Sequence, residues 1–219
     1  MAPENNPNKR AMLDFDAYIT VLVGKEEKSY MVHEGVITNH SRFFRAACSG
    51  QFKEAQERVV CLPETDPKLF SAYLQHVYTD RVVIMAPEEA AADKAGTSQY
   101  IKLSELYVLA DKLDDLRLRN DIVDCTIQLE AAVKTLPSPA AIRIAYEEVP
   151  ESCLLRKLMR DFYTCKAHGK WLQKSRSKLP ADFIFGVACS VREGPSPRTR
   201  PRCEYHEHSD EHPKCSEEE

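Results

Sequence analysis

Apolar residues in this chain recur, over most of its length, at steps of three and four, the spacing that lines one face of an α-helix. Val36, Ile37, His40, Phe43, Phe44 and Ala47 form one such stripe, and Leu69, Phe70, Tyr73, Leu74, Val77 and Tyr78 form a second. A third set runs from Tyr100 to Leu136 through Leu103, Leu106, Leu109, Leu113, Ile122 and Ile127. Faces of this kind must be buried against one another, so the core is expected to be mostly helical. Only near the start does the pattern change. "DAYITVLVG", from Asp16, and "KSYMVHE" are rich in β-branched and aromatic residues and flank the charged, Gly-containing "GKEEK", which reads as a hairpin. "RVVCLPE" supplies a short third strand stopped by Pro63.

Local signals set the expected boundaries. A single helix is predicted from Val36 to Ala47, ending near Gly50, and the second begins at an N-cap, Thr65 or Asp66. "RVVIM" reads as a short strand or extended segment, and "APEEAAADKAGTSQ" as a surface loop with room for a helical turn. The 100–136 stretch divides into two helices near Asp114 and Asp115. Pro139, Pro150 and "LPADFIFGVACSV" punctuate further helices up to Val191. Beyond that, "REGPSPRTRPR" is basic and Pro-rich and "CEYHEHSDEHPKCSEEE" is acidic, so packing is expected to end at Val191.

A net charge of −4 over 219 residues argues against the broad basic surface of a protein that grips nucleic acid by its phosphates. No apolar run reaches the roughly 18 residues needed to span a bilayer, and the start, "MAPENNPNKR", is polar without the apolar stretch of a secretory signal. A soluble protein of the cytoplasm or nucleus is expected. Six cysteines, Cys48, Cys61, Cys125, Cys153, Cys165 and Cys189, stand singly in apolar or helical stretches and read as reduced, mostly core residues.

The hairpin followed by His33, Val36, Ile37, Ser41 and Phe44 resembles the opening of a BTB/POZ domain. "LFSAYLQHVYTDRV" resembles that family's second signature through Phe70, Leu74, Tyr78 and Thr79. "LSELYVLADKLDDLRLRN" resembles the third, through Leu106, Leu109, Ala110, Leu113 and Leu116. The resemblance implies an α/β, mostly helical fold in which a helix cluster is capped by a short sheet. It implies a disordered segment over 1–13, the BTB/POZ domain over 14–134, a helical extension over 135–191 similar to that of small fungal BTB proteins, and a polar Cys/His tail over 192–219. The function implied is protein association without enzymatic activity: pairing with a second copy, binding other proteins, and in many members delivery of substrates to a cullin-based ubiquitin ligase. No small-molecule substrate, membrane or nucleic-acid partner is implied. The hydrophobic-x-Glu element of such adaptors is imperfect here, as Ala86-Pro87-Glu88.

Two clusters of polar residues remain to be weighed. His33, Glu34, His40 and Ser41 could be imagined as a catalytic group, but no Gly-flanked nucleophile accompanies them, and a structural role is expected: His33 capping the helix and Ser41 bonding back within it. Asp111, Asp114 and Asp115, beside Lys112 and Arg117, read as a solvated charged face. In the tail, Cys203, His206, His208 and Cys215 offer two thiolates and two imidazoles, a set that suits structural zinc, with His212 spare. The alternatives for the tail are a disordered acidic segment, or a BTB-type transcription or chromatin regulator in which "RTRPR" and the Cys/His group touch nucleic acid.

Overall fold

A computed structural model describes residues 15–50, 53–165, 177–190, 197, 200–209 and 215. The segment 1–13, expected to be disordered, and His212 lie outside the described residues. The chain divides into two compact units, Met1–Glu64 and Thr65–Glu219.

In the first unit, β1 (Tyr18–Val23) and β2 (Lys28–His33) pair antiparallel, with Tyr18 opposite His33 and Val23 opposite Lys28. The chain reverses through Gly24, whose φ of 77° lies where glycine is favoured, and Glu27 N–H donates to the Gly24 carbonyl. Ile19, Val21 and Val23 are buried while Tyr18, Thr20 and Leu22 point the other way, the period of two that the sequence carries. The strand β3 (Val59–Leu62) runs parallel to β1, giving the order β2-β1-β3. Parallel neighbours need a crossover, and α1 (Glu34–His40), α2 (Arg42–Cys48) and α3 (Lys53–Glu57) provide it.

The helix predicted from Val36 to Ala47 is therefore two helices. Ser41 has extended backbone angles, φ −112° and ψ 125°, and its hydroxyl accepts a hydrogen bond from Phe44 N–H at 3.1 Å. Ser41 thus caps α2 rather than bonding back inside one helix, because serine satisfies a free helix-start N–H better than it continues a helix. Val36, Ile37 and Phe44 are buried, whereas Phe43 falls on the exposed side of α2.

In the second unit, Asp66 caps α4 (Pro67–Thr79), its carboxylate accepting from Lys68 N–H at 2.7 Å and Leu69 N–H at 3.1 Å. The predicted surface loop contains α5 (Pro87–Ala92), and "RVVIM" before it forms no strand. Next come α6 (Thr97–Lys112) and α7 (Leu116–Val133), broken where expected: Asp114 adopts a φ of 48° and Asp115 caps α7 through Leu118 N–H at 2.9 Å. Gly96 precedes α6 at a φ of 66°, and a side chain there would crowd Val133 and Leu129 at 3.2 and 3.3 Å. Ser138 caps α8 (Pro139–Glu148), followed by α9 (Leu154–Thr164) and α10 (Ala181–Ser190). The helix α6 is central: it packs against α4, α7 and α8, while α9 packs against α8 and α10. Phe183 of α10 is buried edge-on against Tyr163 and Tyr146.

Two expectations need correction here. Packing does not end at Val191: a short 3-10 turn over Arg202–Glu204 leads into Tyr205, which is fully buried, and polar contacts rather than an apolar stripe hold this part. The six scattered cysteines are free, but only Cys153 is buried, Cys48 and Cys125 are half-buried, and Cys61, Cys165 and Cys189 are exposed. A thiol is small enough to sit on either face of an amphipathic segment, so its position alone does not report burial.

Candidate functional site

The first unit keeps a good deal of apolar surface in water. On the outward face of the sheet, the register sets Met31 beside Thr20 and His33 beside Tyr18. The His33 ring lies 4.6 Å from that of Tyr18 and edge-on to Phe15 at 5.2 Å, and makes no cap hydrogen bond to α1. Met31 is 74% exposed, Phe15 53% and Tyr18 43%. Large apolar side chains gathered on one face of a small unit mark a surface for protein association. Elsewhere on the unit an open groove of about 370 Å³ is lined by Phe43, Ala47, Val59 and Cys61 and edged by Glu54 and Glu57. Glu34 faces Arg58 at 3.7 Å. His33, Glu34 and Ser41 are thus engaged with rings, a guanidinium and a helix start; the cap expected of His33 is not formed, and Ser41 starts a helix where it was expected to lie within one.

The carboxylates of the second unit divide more sharply than a solvated face would. Asp115 is fully buried, and burial pushes its carboxyl above the usual range against the pull of the Leu118 N–H bond. Asp111 and Asp114 face Arg119 at 2.7 and 3.4 Å, and the same guanidinium meets Glu207 of the tail at 2.9 Å. Burial works against the Arg119 charge, but Glu207 and Asp111 outweigh it and hold the group above its ordinary range.

These contacts begin a docked strap. Tyr107 of α6 donates to the Glu207 carboxylate at 3.0 Å, and burial, followed by Cys153 and Glu207, pushes the phenol up, so it stays a donor. Asn120 of α7 bonds both main-chain groups of Glu207 at 2.9 Å. Tyr205 donates to Asp161 of α9 at 3.1 Å, and Lys157 reaches the Glu204 carbonyl at 3.0 Å. Arg202 meets Asp124 at 2.9 Å, and Arg200 lies near Asp161 and Glu204 at 3.5 and 3.3 Å. The two described arginines of "RTRPR" are therefore occupied by carboxylates of this chain, which weighs against a role on nucleic acid.

The four candidate metal ligands all fall in this strap. Cys203 Sγ lies 3.3 Å from His208 Nε2, and His206 Nδ1 lies 3.3 Å from Cys215 Sγ. Donor atoms of Cys203, His208 and Cys215 sit within 4.8 Å of one another, and His206 joins them through Cys215. Cys215 N–H donates to Cys203 Sγ at 3.2 Å. Burial, then the neighbouring Cys203, pushes the Cys215 thiol up. Periodicity did not reveal Asp124, which meets the other nitrogen of His206, Nε2, at 3.1 Å. It lies on α7, far away in sequence, and nothing near it in the chain points to the tail.

Residues 11–107 match the family model of the BTB/POZ domain. That segment, somewhat under half of the chain, is similar to BTB/POZ domains. The "BTB/POZ and MATH domain-containing protein 5" of Arabidopsis thaliana is 33% identical over 100 residues, which cover 42% of this chain and 23% of the plant protein. The chain thus spans well under half the length of that relative. BTB/POZ domains are protein–protein interaction modules, and the signature positions bear out the resemblance: Val36, Ile37, Phe44, Phe70, Leu106, Leu109, Ala110 and Leu113 are buried, whereas Tyr78 is exposed. No helix among the described residues is long and apolar enough to cross a membrane.

Proposed function

We propose that this chain is a non-enzymatic interaction protein whose BTB/POZ domain, extending over 14–134, pairs with a second copy and acts as an adaptor that brings other proteins together in the cytoplasm or nucleus. The observation that carries self-pairing is the outward sheet face, where Met31, Phe15 and Tyr18 stand exposed beside His33. Pairing two copies raises the effective concentration of every second contact, so weak sites act together. Delivery to a cullin-based ligase is the finer form of this reading. Glu88 supports it, standing in the first turn of α5 directly after Pro87 and exposed to solvent.

Light scattering on the purified chain tests self-pairing. A dimer mass at micromolar concentration, reduced to a monomer by Met31→Glu with the thermal transition retained, supports the reading; a monomer in both samples overturns it. Binding of a purified cullin N-terminal domain, lost with Glu88→Lys, tests the ligase role, and absence of binding by the native chain removes it.

A further inference from the structure

The tail poses a physical problem that its contacts alone do not solve. From Arg200 to Ser209 the one large apolar side chain that is buried is Tyr205, and ordering a strap of that length removes far more backbone freedom than burying one ring offsets. Within it, two thiols and two imidazoles from residues up to twelve positions apart converge. Thiols are weak hydrogen-bond donors, so thiol–imidazole contacts give little reason for four such side chains to meet.

We propose that Cys203 Sγ, His206 Nδ1, His208 Nε2 and Cys215 Sγ hold one zinc ion that closes the C-terminal strap on itself and, through the contact of His206 with Asp124, fastens it to α7 of this chain. Metal–sulfur bonds of about 2.3 Å and metal–nitrogen bonds of about 2.0 Å at tetrahedral angles put a sulfur and a nitrogen ligand roughly 3.6 Å apart. Two sulfur–nitrogen pairs stand at 3.3 Å here, and the donor atoms of Cys203, His208 and Cys215 all lie within 4.8 Å of one another; His206 stands outside that group of three and would close on the ion from its place beside Cys215. Two thiolates with two imidazoles select zinc over magnesium or calcium, which take oxygen ligands.

The surroundings favour the ion in the same way. The Cys215 amide donating to Cys203 Sγ supports a thiolate at that sulfur. With Nδ1 on the metal, His206 has its Nε2–H free to donate to Asp124 Oδ1 at 3.1 Å, an arrangement that fixes the tautomer and the ring plane. Asp124 in turn also faces Arg202 at 2.9 Å, so its charge is held in place from both sides. The ion thereby joins three things: the turn at Cys203, the run through His208, and the α7 carboxylate. Asp124 is a positioning residue in this scheme; it acts through His206.

Zinc content of the purified full chain, measured by plasma mass spectrometry, tests the proposal against Cys203→Ser/Cys215→Ser. One zinc per native chain and background in the double variant are expected, with helical circular dichroism unchanged between them. Cobalt added to the metal-free native chain is expected to give the intense visible bands and sulfur charge-transfer absorption of a tetrahedral thiolate site. Asp124→Asn should keep the cobalt spectrum but lower zinc affinity about 10- to 100-fold in competition with a chromophoric chelator, the range seen when such a partner carboxylate is lost. Chelation of the native chain should expose the bond after Arg202 to trypsin while leaving the helical body intact. A native chain that takes up neither metal, equal zinc in native and double variant, or a native mass short by two hydrogens from a Cys203–Cys215 disulfide would each overturn the site; an unchanged affinity in Asp124→Asn would remove Asp124 from it.

Discussion

The sheet unit and the C-terminal strap are held by opposite means. Between Tyr18 and Leu62, the interior is built on Ile19, Val21, Val23, Val32, Ile37, Phe44 and Val60, all at most 2% exposed, and water is excluded mainly by apolar area. Among the described residues between Arg200 and Cys215, one ring is buried and the contacts are made by carboxylates, guanidiniums, an amide side chain and the Cys/His cluster. Non-directional burial tolerates substitution at the rim but not at the centre. Directional contacts are individually modest and depend on their partners staying put. The first region should therefore lose stability in large steps and the second should detach locally.

The largest step is expected at Phe44, fully buried with its ring edge-on to Phe43. Phe44→Ala should cost about 3–5 kcal/mol, read as a lowered midpoint in urea with unchanged slope. A loss under about 1 kcal/mol would mean that the unit is not held by its apolar centre, and the contrast with the strap would fail. One position away from that core in kind, Ser41→Ala removes a cap without opening a cavity. It should cost about 1 kcal/mol, because the Phe44 N–H then loses its side-chain acceptor.

Those two residues also show where sequence is informative. Phe44 was legible because burial repeats with the helical period, and the same is true of Phe70, Leu106 and the strand residues Ile19 to Val23. Ser41 was placed inside a helix because apolar spacing continued across it; the extended backbone there breaks the helix without breaking the stripe. The strap was legible only as a ligand set. Cys203, His206, His208 and Cys215 announce themselves by residue type; the structure gathers Cys203, His208 and Cys215 and sets His206 beside Cys215. Their partners Asp124, Asn120, Arg119 and Asp161 do not, because a polar residue on a helix looks the same whether it meets water or another segment. Tyr205 was missed for a related reason: a single aromatic residue in a charged run has no period.

The smallest effect sharpens the comparison most. Tyr205 donates to Asp161 Oδ2 at 3.1 Å, and burial, then the Asp161 charge, pushes its phenol up, so the donor persists through neutral and mildly alkaline pH. Tyr205→Phe keeps the ring and removes this one bond to a charged acceptor. Asp161 retains Arg200 at 3.5 Å and Arg160 at 3.6 Å, so it is not left without a cation, and the cost should fall at the low end for such bonds, about 1.5 kcal/mol. If the strap detaches on its own, that cost falls on its docking equilibrium. Amide exchange over 202–209 should then speed up about tenfold while the thermal midpoint of the helices stays within about a degree. A fall in that midpoint alongside unchanged exchange in the strap would mean the reverse: Tyr205 belongs to the core of α9, and the boundary drawn between apolar body and polar strap is in the wrong place.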